Sequence, residues 1–387
     1  MLTTSKKRLL VPALAGMSAV LSGTTAFALN IDETQLQRDA DTLRETGAAG
    51  VLAEVRTPGD RVVARSGVAD LKTGAPVQAD SYFRIASTTK TFVATVALQL
   101  VGEDRLALTD TIDRWLPGLV RGNGNDGTKI TVRQLLNHTS GIPDYLDDVP
   151  VQKARTPDEF QRERFRTYPP ERLVAMALQH RRAFEPGRGW AYSNTNYILA
   201  GMAIEKATGR PWQQEVHERI IEPLGLRHTL IPGTSAHLPQ PGMTAYRRLV
   251  PGGPETDVST IASGHPDWSF VSTTGDVNRF LQALLGGRLL RPAQLRQMQR
   301  TVPAKPFREV WREAAYGLGL MKRRLPCGKW AWFHGGGNWN YIIDNAVSPD
   351  GHRAATVFYT SRLGPDQSPI QQFKTSATLI DHALCAP

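Results

Sequence analysis

The residues Ser87-Thr88-Thr89-Lys90 set a hydroxyl and an amine three positions apart, and no other serine in the chain has a lysine at that spacing. They join a short β-type run, residues 82–86, to a nearly all-apolar segment, 91–102. A segment apolar on every side reads as a buried helix. Ser87 is then expected on its first turn and Lys90 one turn on, with both on one face about 4.5 Å apart along the axis. A serine hydroxyl is a weak nucleophile until a base lies within hydrogen-bond reach. A lysine inside a packed core has its ammonium form disfavoured and can take up a proton. The helix N-terminus adds amide donors where oxyanion charge would build. Taken alone, the tetrad also fits a helix-capping serine followed by a surface lysine.

Two further groups have the types such chemistry needs. Tyr192-Ser193-Asn194 follows Glu185-Pro186-Gly187 and precedes a helical segment. A phenol near a lysine can have its pKa lowered and act as base or acid. The Asn194 amide can donate to a substrate carbonyl and accept from the lysine. The plainer alternative is a loop tyrosine beside a capping asparagine. His334-Gly335-Gly336-Gly337 follows Lys329-Trp330-Ala331-Trp332-Phe333. A strand edge with bare amides at Gly335 and Gly337 lets a substrate backbone come close; a glycine-rich turn beside a structural histidine reads the same way. The nine histidines are scattered without an HExxH or Cys/His ligand spacing, so neither a metal nor a cofactor is expected. The Gly-x-Ser-x-Gly elbow of α/β-hydrolases is missing as well.

The elements that must position these groups can be read from periodicity and punctuation. Residues 31–46 form a charged amphipathic helix, and 50–56 with 61–68 read as a hairpin across Pro58-Gly59-Asp60. Thr131-Val132-Arg133-Gln134 is a capping box before Leu135-Leu136. Pro170 and Pro211 open helices, another spans 196–208 up to Gly209, and a further one carries Val277, Phe280, Leu281 and Leu284. Two long irregular stretches, 144–169 and 231–264, read as site walls or as surface decoration. Strands are expected at 316–325, 329–334, 341–346 and 354–359, and a last helix at 369–384. Strands at both ends with helices between imply one sheet built from both termini and a helical middle resting against it.

With 387 residues, 41% hydrophobic, the chain can bury a large core. Residues 1–28 read as a secretory signal: Lys6-Lys7-Arg8, an apolar run, then Ala26-Phe27-Ala28 as cleavage site. That run is too short to span a membrane comfortably. The mature chain is expected to be secreted into the extracellular or cell-wall space, soluble, monomeric and without a membrane anchor. Its net charge of +10 becomes +7 (10 − 3) once the three signal cations are removed. Such a charge could favour anionic cell-wall polymers, but ordinary arginine-rich composition accounts for it. No basic run is interleaved with aromatics, so no nucleic-acid partner is expected. The only cysteines, Cys327 and Cys385, are expected to pair in an oxidising compartment.

Taken together and in order, these stretches resemble the serine penicillin-recognising enzymes, in particular the secreted D-alanyl-D-alanine carboxypeptidase and class C β-lactamase group (peptidase family S12). The likeness covers residues 83–92, 130–141, 192–197 and 316–320 and both cysteines. It implies an α+β fold, β-lactamase/transpeptidase-like, with an antiparallel sheet from both chain ends flanked by helices and an all-helical region. Residues 29–387 would form the hydrolase domain, with 29–86 and 265–387 as its α/β part and 87–264 as the mostly helical part. The resemblance makes Ser87 the acylated nucleophile and Lys90 its proton partner. Tyr192 would activate Ser87 and protonate the leaving group, and which of Lys90 and Tyr192 takes the first proton stays open. Asn194 would hold the substrate amide, and His334 would add positive or donor character. The Ser87 and Gly337 amides would form the oxyanion hole, and His138 falls in a motif read as structural.

Two departures bear on substrate. Gly335, Gly336 and Gly337 stand where carboxypeptidases of the group carry hydroxyl residues, and Met321 stands where they carry an arginine. Lys322 is adjacent but should point the other way on a strand. Asn340 also replaces a glycine usual in relatives. The leading expectation is a serine hydrolase working through an acyl-enzyme, a D-alanyl-D-alanine carboxypeptidase or D-amino-acid peptidase first. A β-lactamase-related esterase or β-lactamase comes second, and a non-hydrolytic binder of penicillin or peptidoglycan third. The expected partner is a peptide or small acyl substrate, such as a cell-wall peptide or a β-lactam.

Overall fold

The computed structural model describes residues 1–2, 31–364 and 367–386. The expected signal sequence therefore lies outside the described residues, its first two positions excepted. Helix α1 (Glu33–Glu45) starts at Asp32, whose carboxylate accepts from the Gln35 amide at 2.8 Å, and buries Leu36, Ala40 and Leu43. Strands β1 (Ala48–Arg56) and β2 (Arg61–Gly67) make the expected hairpin, in register from Gly50 opposite Gly67 to Arg56 opposite Arg61. The helical middle contributes α2 (Thr89–Gly102), α3 (Val132–Leu136) and α4 (Thr195–Thr208), and α5 (Thr274–Leu285) follows it. The capping box opens α3 as the sequence indicates, with the Thr131 hydroxyl and the Gln134 amide each holding the other's backbone.

The other strands of the main sheet are β3 (Val302–Pro303), β4 (Ala315–Tyr316), β5 (Met321–Arg324), β6 (Trp330–Phe333), β7 (Gly336–Asn338), β8 (Tyr341–Val347) and β9 (Ala354–Ser361), and helix α6 (Ile370–Cys385) ends the chain. One nine-stranded antiparallel sheet runs β2-β1-β9-β8-β6-β5-β4-β3, with β7 paired to β8. The first and last strands of the chain are thus neighbours in the sheet, Val51 opposite Tyr359. Helices α1 and α6 cover one face over a core of Val51, Val55, Phe333, Val357 and Ile380. On the other face Phe83, Phe92, Phe280 and Phe358 join the sheet to the helical side in a second core.

Two expectations need correction. The run 316–325 is two strands, because Gly317–Leu320 turns tightly between them with Gly319 at φ +71°. A Cβ on Gly319 would lie 2.4 Å from the Ala94 Cβ and 2.8 Å from the Tyr197 hydroxyl, so only glycine lets this turn press on α2. The strand edge expected at the glycines is a separate strand, β7, rather than an extension of the run 329–334, since three residues of glycine and asparagine carry no strand signal of their own. The β7–β8 turn passes through Trp339 at φ +48° and Asn340 at φ +63°. Asparagine tolerates that region, and the Asn340 amide also donates to the carbonyls of Tyr246, Ser361 and Leu363.

Among the described residues no helix is long and apolar enough to cross a membrane. Cys327, in the β5–β6 turn, is bonded to Cys385 at the end of α6, 58 positions away. Unreduced, denatured protein is therefore expected to show no titratable thiol, and Cys385→Ser to unfold about 2–4 kcal/mol more easily in denaturant melts.

Candidate active site

Ser87 sits in a single 3-10 turn, Ala86–Thr88, ahead of α2 rather than on the helix's own first turn. Ala86 enters this turn at φ +44°, a left-handed backbone that costs a residue with a Cβ energy. The turn is pinned to the sheet edge. The Thr88 hydroxyl donates to the His334 carbonyl at 2.6 Å, and the Asn345 amide donates to the same carbonyl at 2.9 Å. Gly336 packs directly on it: a Cβ there would stand 2.6 Å from the Ser87 nitrogen.

Lys90 is fully buried on α2, and its Nζ donates to three acceptors: Ser87 Oγ at 3.1 Å, Asn194 Oδ1 at 2.7 Å and the Asp267 carbonyl at 2.7 Å. Burial pulls its pKa down to about 8, against the opposing fields of Asp267 and Asp144. Those three contacts suit the ammonium. In the neutral amine two N–H groups keep Asn194 and Asp267, and the lone pair is left facing Ser87 Oγ.

Tyr192 places its ring centroid 5.0 Å from Lys90 Nζ. Its buried hydroxyl has no well-formed hydrogen bond, although Ser87 is near enough to draw its pKa down. Burial wins, and the phenol is pushed well above its ordinary value. This reverses the lowered pKa expected for a phenol beside a lysine, because desolvation of the phenolate outweighs one nearby cation.

Asn194 is spent at both ends: Oδ1 accepts from Lys90 and Nδ2 donates to Asp144 Oδ2 at 2.8 Å. The contact with the lysine is as the sequence reading expected, whereas the end expected to face substrate, Nδ2, is held by Asp144 in the free protein. Asp144 and Asp267 were missed. Asp144 closes the stretch Gly141-Ile142-Pro143-Asp144, and Thr195 anchors that loop, its Oγ1 donating to the Pro143 carbonyl and accepting from the Tyr145 amide. Asp267 lies beyond the long 231–264 stretch, which Arg84 holds by donating to the carbonyls of Ala236, Ser259 and Ile261. Asp267 Oδ2 accepts from the Tyr145 hydroxyl at 2.7 Å, and burial lifts this carboxyl to about 6.

His334 differs most from expectation. Its Nδ1 lies 2.8 Å from the Gly335 carbonyl, an acceptor, so that nitrogen carries the proton. Its Nε2 then accepts from the Tyr316 hydroxyl at 2.7 Å. Tyr316 in turn accepts from His138 Nε2 at 3.2 Å, because His138 Nδ1 already receives the Ser193 amide and the Asn196 side chain. Ser140 donates to Asn196 Oδ1 and fixes that end. Every proton in this chain is assigned by its neighbours. Burial, with the Lys90 charge behind it, takes His334 down to about 3 and His138 well below its usual value. His334 therefore brings no positive charge, and its one donor is used on the backbone. It serves as the end of a neutral chain that steadies the glycine strand. Tyr316→Phe removes the link between the two histidines. It is expected to lower kcat about fivefold, as a neutral hydrogen bond of about 1 kcal/mol allows, with KM little changed in steady-state assays.

A cavity of about 330 Å³ opens at Ser87 and Tyr192 and runs along Gly335, Gly336 and Gly337. Met321 lines it, whereas Lys322 points away and lies over the Trp330 ring at 4.7 Å. The lining includes Glu309 and Asp344 but neither lysine nor arginine.

The pattern of the family described as Beta-lactamase matches residues 35–376, most of the chain. The chain belongs to the β-lactamase family. Among solved structures of this fold, a D-stereospecific amidohydrolase from Streptomyces sp. is 39% identical, with TM-score 0.81 over 92% of this chain and 99% of that one. The D-amino acid amidase from Ochrobactrum anthropi SV3, complexed with L-phenylalanine amide, is 29% identical, with TM-score 0.78 over 91% and 97%. Esterase EstB from Burkholderia gladioli is 34% identical over 226 residues, 54% of this chain and 55% of that enzyme, so the match spans about half its length.

Proposed function

We propose that this β-lactamase-family chain is a secreted serine hydrolase that cleaves amides of D-amino acids or short D-peptides through an acyl-enzyme on Ser87. The observation that carries it is the 3.1 Å contact between Lys90 Nζ and Ser87 Oγ, made by a lysine whose pKa has fallen to about 8. Neutral Lys90 takes the serine proton as Oγ bonds to the substrate carbonyl carbon. The amides of Ser87 and Gly337 hold the oxyanion, each such donor contributing about 10²–10³ in rate. As the C–N bond breaks, the proton returns from Lys90 to the leaving nitrogen by way of the Tyr192 hydroxyl. Water then attacks the ester, and the same groups run in reverse.

The lining of the cavity favours amides over free carboxylates. A substrate ending in a carboxylate would meet Glu309 and no lysine or arginine in the cavity lining, which disfavours strict D-alanyl-D-alanine carboxypeptidase action. A neutral carboxamide meets no such repulsion, and the similarity to D-stereospecific amide hydrolases agrees. The bare glycine strand supports a second reading, esterase action, since an ester also needs no carboxylate ligand. Ranking kcat/KM for D-phenylalanine amide, L-phenylalanine amide, a D-alanyl-D-alanine peptide, a chromogenic cephalosporin and a short nitrophenyl ester separates these readings. D-phenylalanine amide is expected to lead its L-isomer and the carboxylate peptide by at least about tenfold. A lead for the carboxylate peptide would overturn the amide reading.

A further inference from the structure

The cavity does not end at the catalytic groups. It continues past the glycine strand to the side of the sheet under α6, between Phe307, Trp311, Ile342 and Phe373, with Asp344 and Ser376 at its floor. Side chains at residues 335 and 337 would narrow this passage. A Cβ on Gly337 would touch Ile342 Cδ1 at 3.0 Å. A Cβ on Gly335 would lie 3.8 Å from Asp344 Oδ1 and 3.9 Å from Trp311 Cζ2.

Two polar atoms at this point are buried without a partner among the described residues. Asp344 is 2% exposed, and its one well-formed hydrogen bond is at Oδ2, accepting from Ser376 at 3.3 Å, although the Asn345 amide and the Arg323 charge also act on the carboxyl. Asp344 Oδ1 has no donor, and the Trp311 indole N–H has no acceptor. Arg323, on β5 beyond β6, acts on Asp344 only through its field and is itself bound to Asp381 at 2.8 Å. Buried polar groups left unpaired carry a desolvation cost that a fitting ligand removes. An ammonium would satisfy the carboxylate and leave the indole N–H orphaned. A hydroxyl can donate to one and accept from the other, and the rest of the lining fits an aromatic ring.

We propose that this inner pocket receives an aromatic side chain on the acyl part of the substrate, with a ring hydroxyl donating to Asp344 and accepting from Trp311. Asp344 is thus a specificity residue for phenolic acyl groups. The inference rests on Ser87 being the nucleophile, and activated esters test the two separately. The nitrophenyl esters of 3-phenylpropanoic, 3-(4-hydroxyphenyl)propanoic and 3-(4-aminomethylphenyl)propanoic acids would be compared in wild type, Asp344→Leu and Trp311→Phe. Fluorophosphonate labelling of Ser87 reports whether each variant keeps a formed site.

The wild type is expected to prefer the hydroxyphenyl ester over the phenyl ester by about tenfold in kcat/KM, the scale of one or two buried hydrogen bonds. That preference is expected to fall below about twofold in Asp344→Leu and by several-fold in Trp311→Phe. Equal rates for the two esters in a labelled, active wild type would overturn the proposal, leave the hydrolase reading standing and give the orphan atoms to an internal water. A preference that survives Asp344→Leu in labelled protein, or a lead for the aminomethyl ester, would overturn it too. Should Asp344→Leu not label, Trp311→Phe alone decides by the same criterion. Neither labelling nor turnover in wild type would overturn the hydrolase reading and this inference with it.

Discussion

Lys90→Met is expected to lower kcat/KM for any turned-over amide or ester by about 10²–10⁴, the range a positioned general base supplies. Methionine matches the stem and packs in the same core, so the loss is chemical. The buried Asn194 Oδ1 and the Asp267 carbonyl, at 2.7 Å each, lose their shared donor. Some stability should go with them, about 1–3 kcal/mol for buried acceptors left unpaired. Denaturant melts separate that effect from the kinetic one. A variant that keeps wild-type kcat/KM would remove Lys90 from the mechanism.

The second large effect is in the pH profile. With a pKa of about 8, Lys90 is the neutral base in about a tenth of molecules at pH 7. The rate should therefore climb with pH up to about 8 and level off above it. Asp267 is the first of the fields holding the lysine charged, ahead of Asp144. Asp267→Asn removes that field and leaves burial less opposed. The lysine's pKa then falls, and the rising limb of kcat/KM moves to lower pH, by about one unit for a charge this close. Tyr145 loses a charged acceptor in the same variant, although an asparagine oxygen can still take its proton. A limb that stays put or moves up would show that the Asp267 charge does not set the base.

The groups that sequence spacing could reach were those one helical turn or one short run apart. Ser87 and Lys90 are legible because a single apolar helix fixes their relation. The β1–β2 hairpin, the Thr131 capping box and the C-terminal strands are legible because their signals are local. Asp144, Asp267 and Tyr316 are lone residues in the sequence and acquire roles only when three distant segments close around Lys90. Asp144 follows a recognised stretch and Tyr316 begins one, so each was within sight without its partner. Signs of pKa shifts were less accessible still. Tyr192 looked activated beside a lysine and His334 looked cationic or donating, but the charge of both is dominated by burial, which no spacing reveals. The lysine contact of Asn194 was within reach, but its Nδ2 was matched to substrate because its link to Asp144 is a tertiary contact.

The central claim is that Ser87 forms the covalent intermediate. Protein treated with a fluorescent penicillin and, separately, a fluorophosphonate, then read by intact mass and peptide mapping beside Ser87→Ala, tests it directly. The account predicts one adduct per chain with at least one reagent, mapped to the peptide holding Ser87 and lost in Ser87→Ala. An adduct that persists in Ser87→Ala, or maps to another residue, would contradict it.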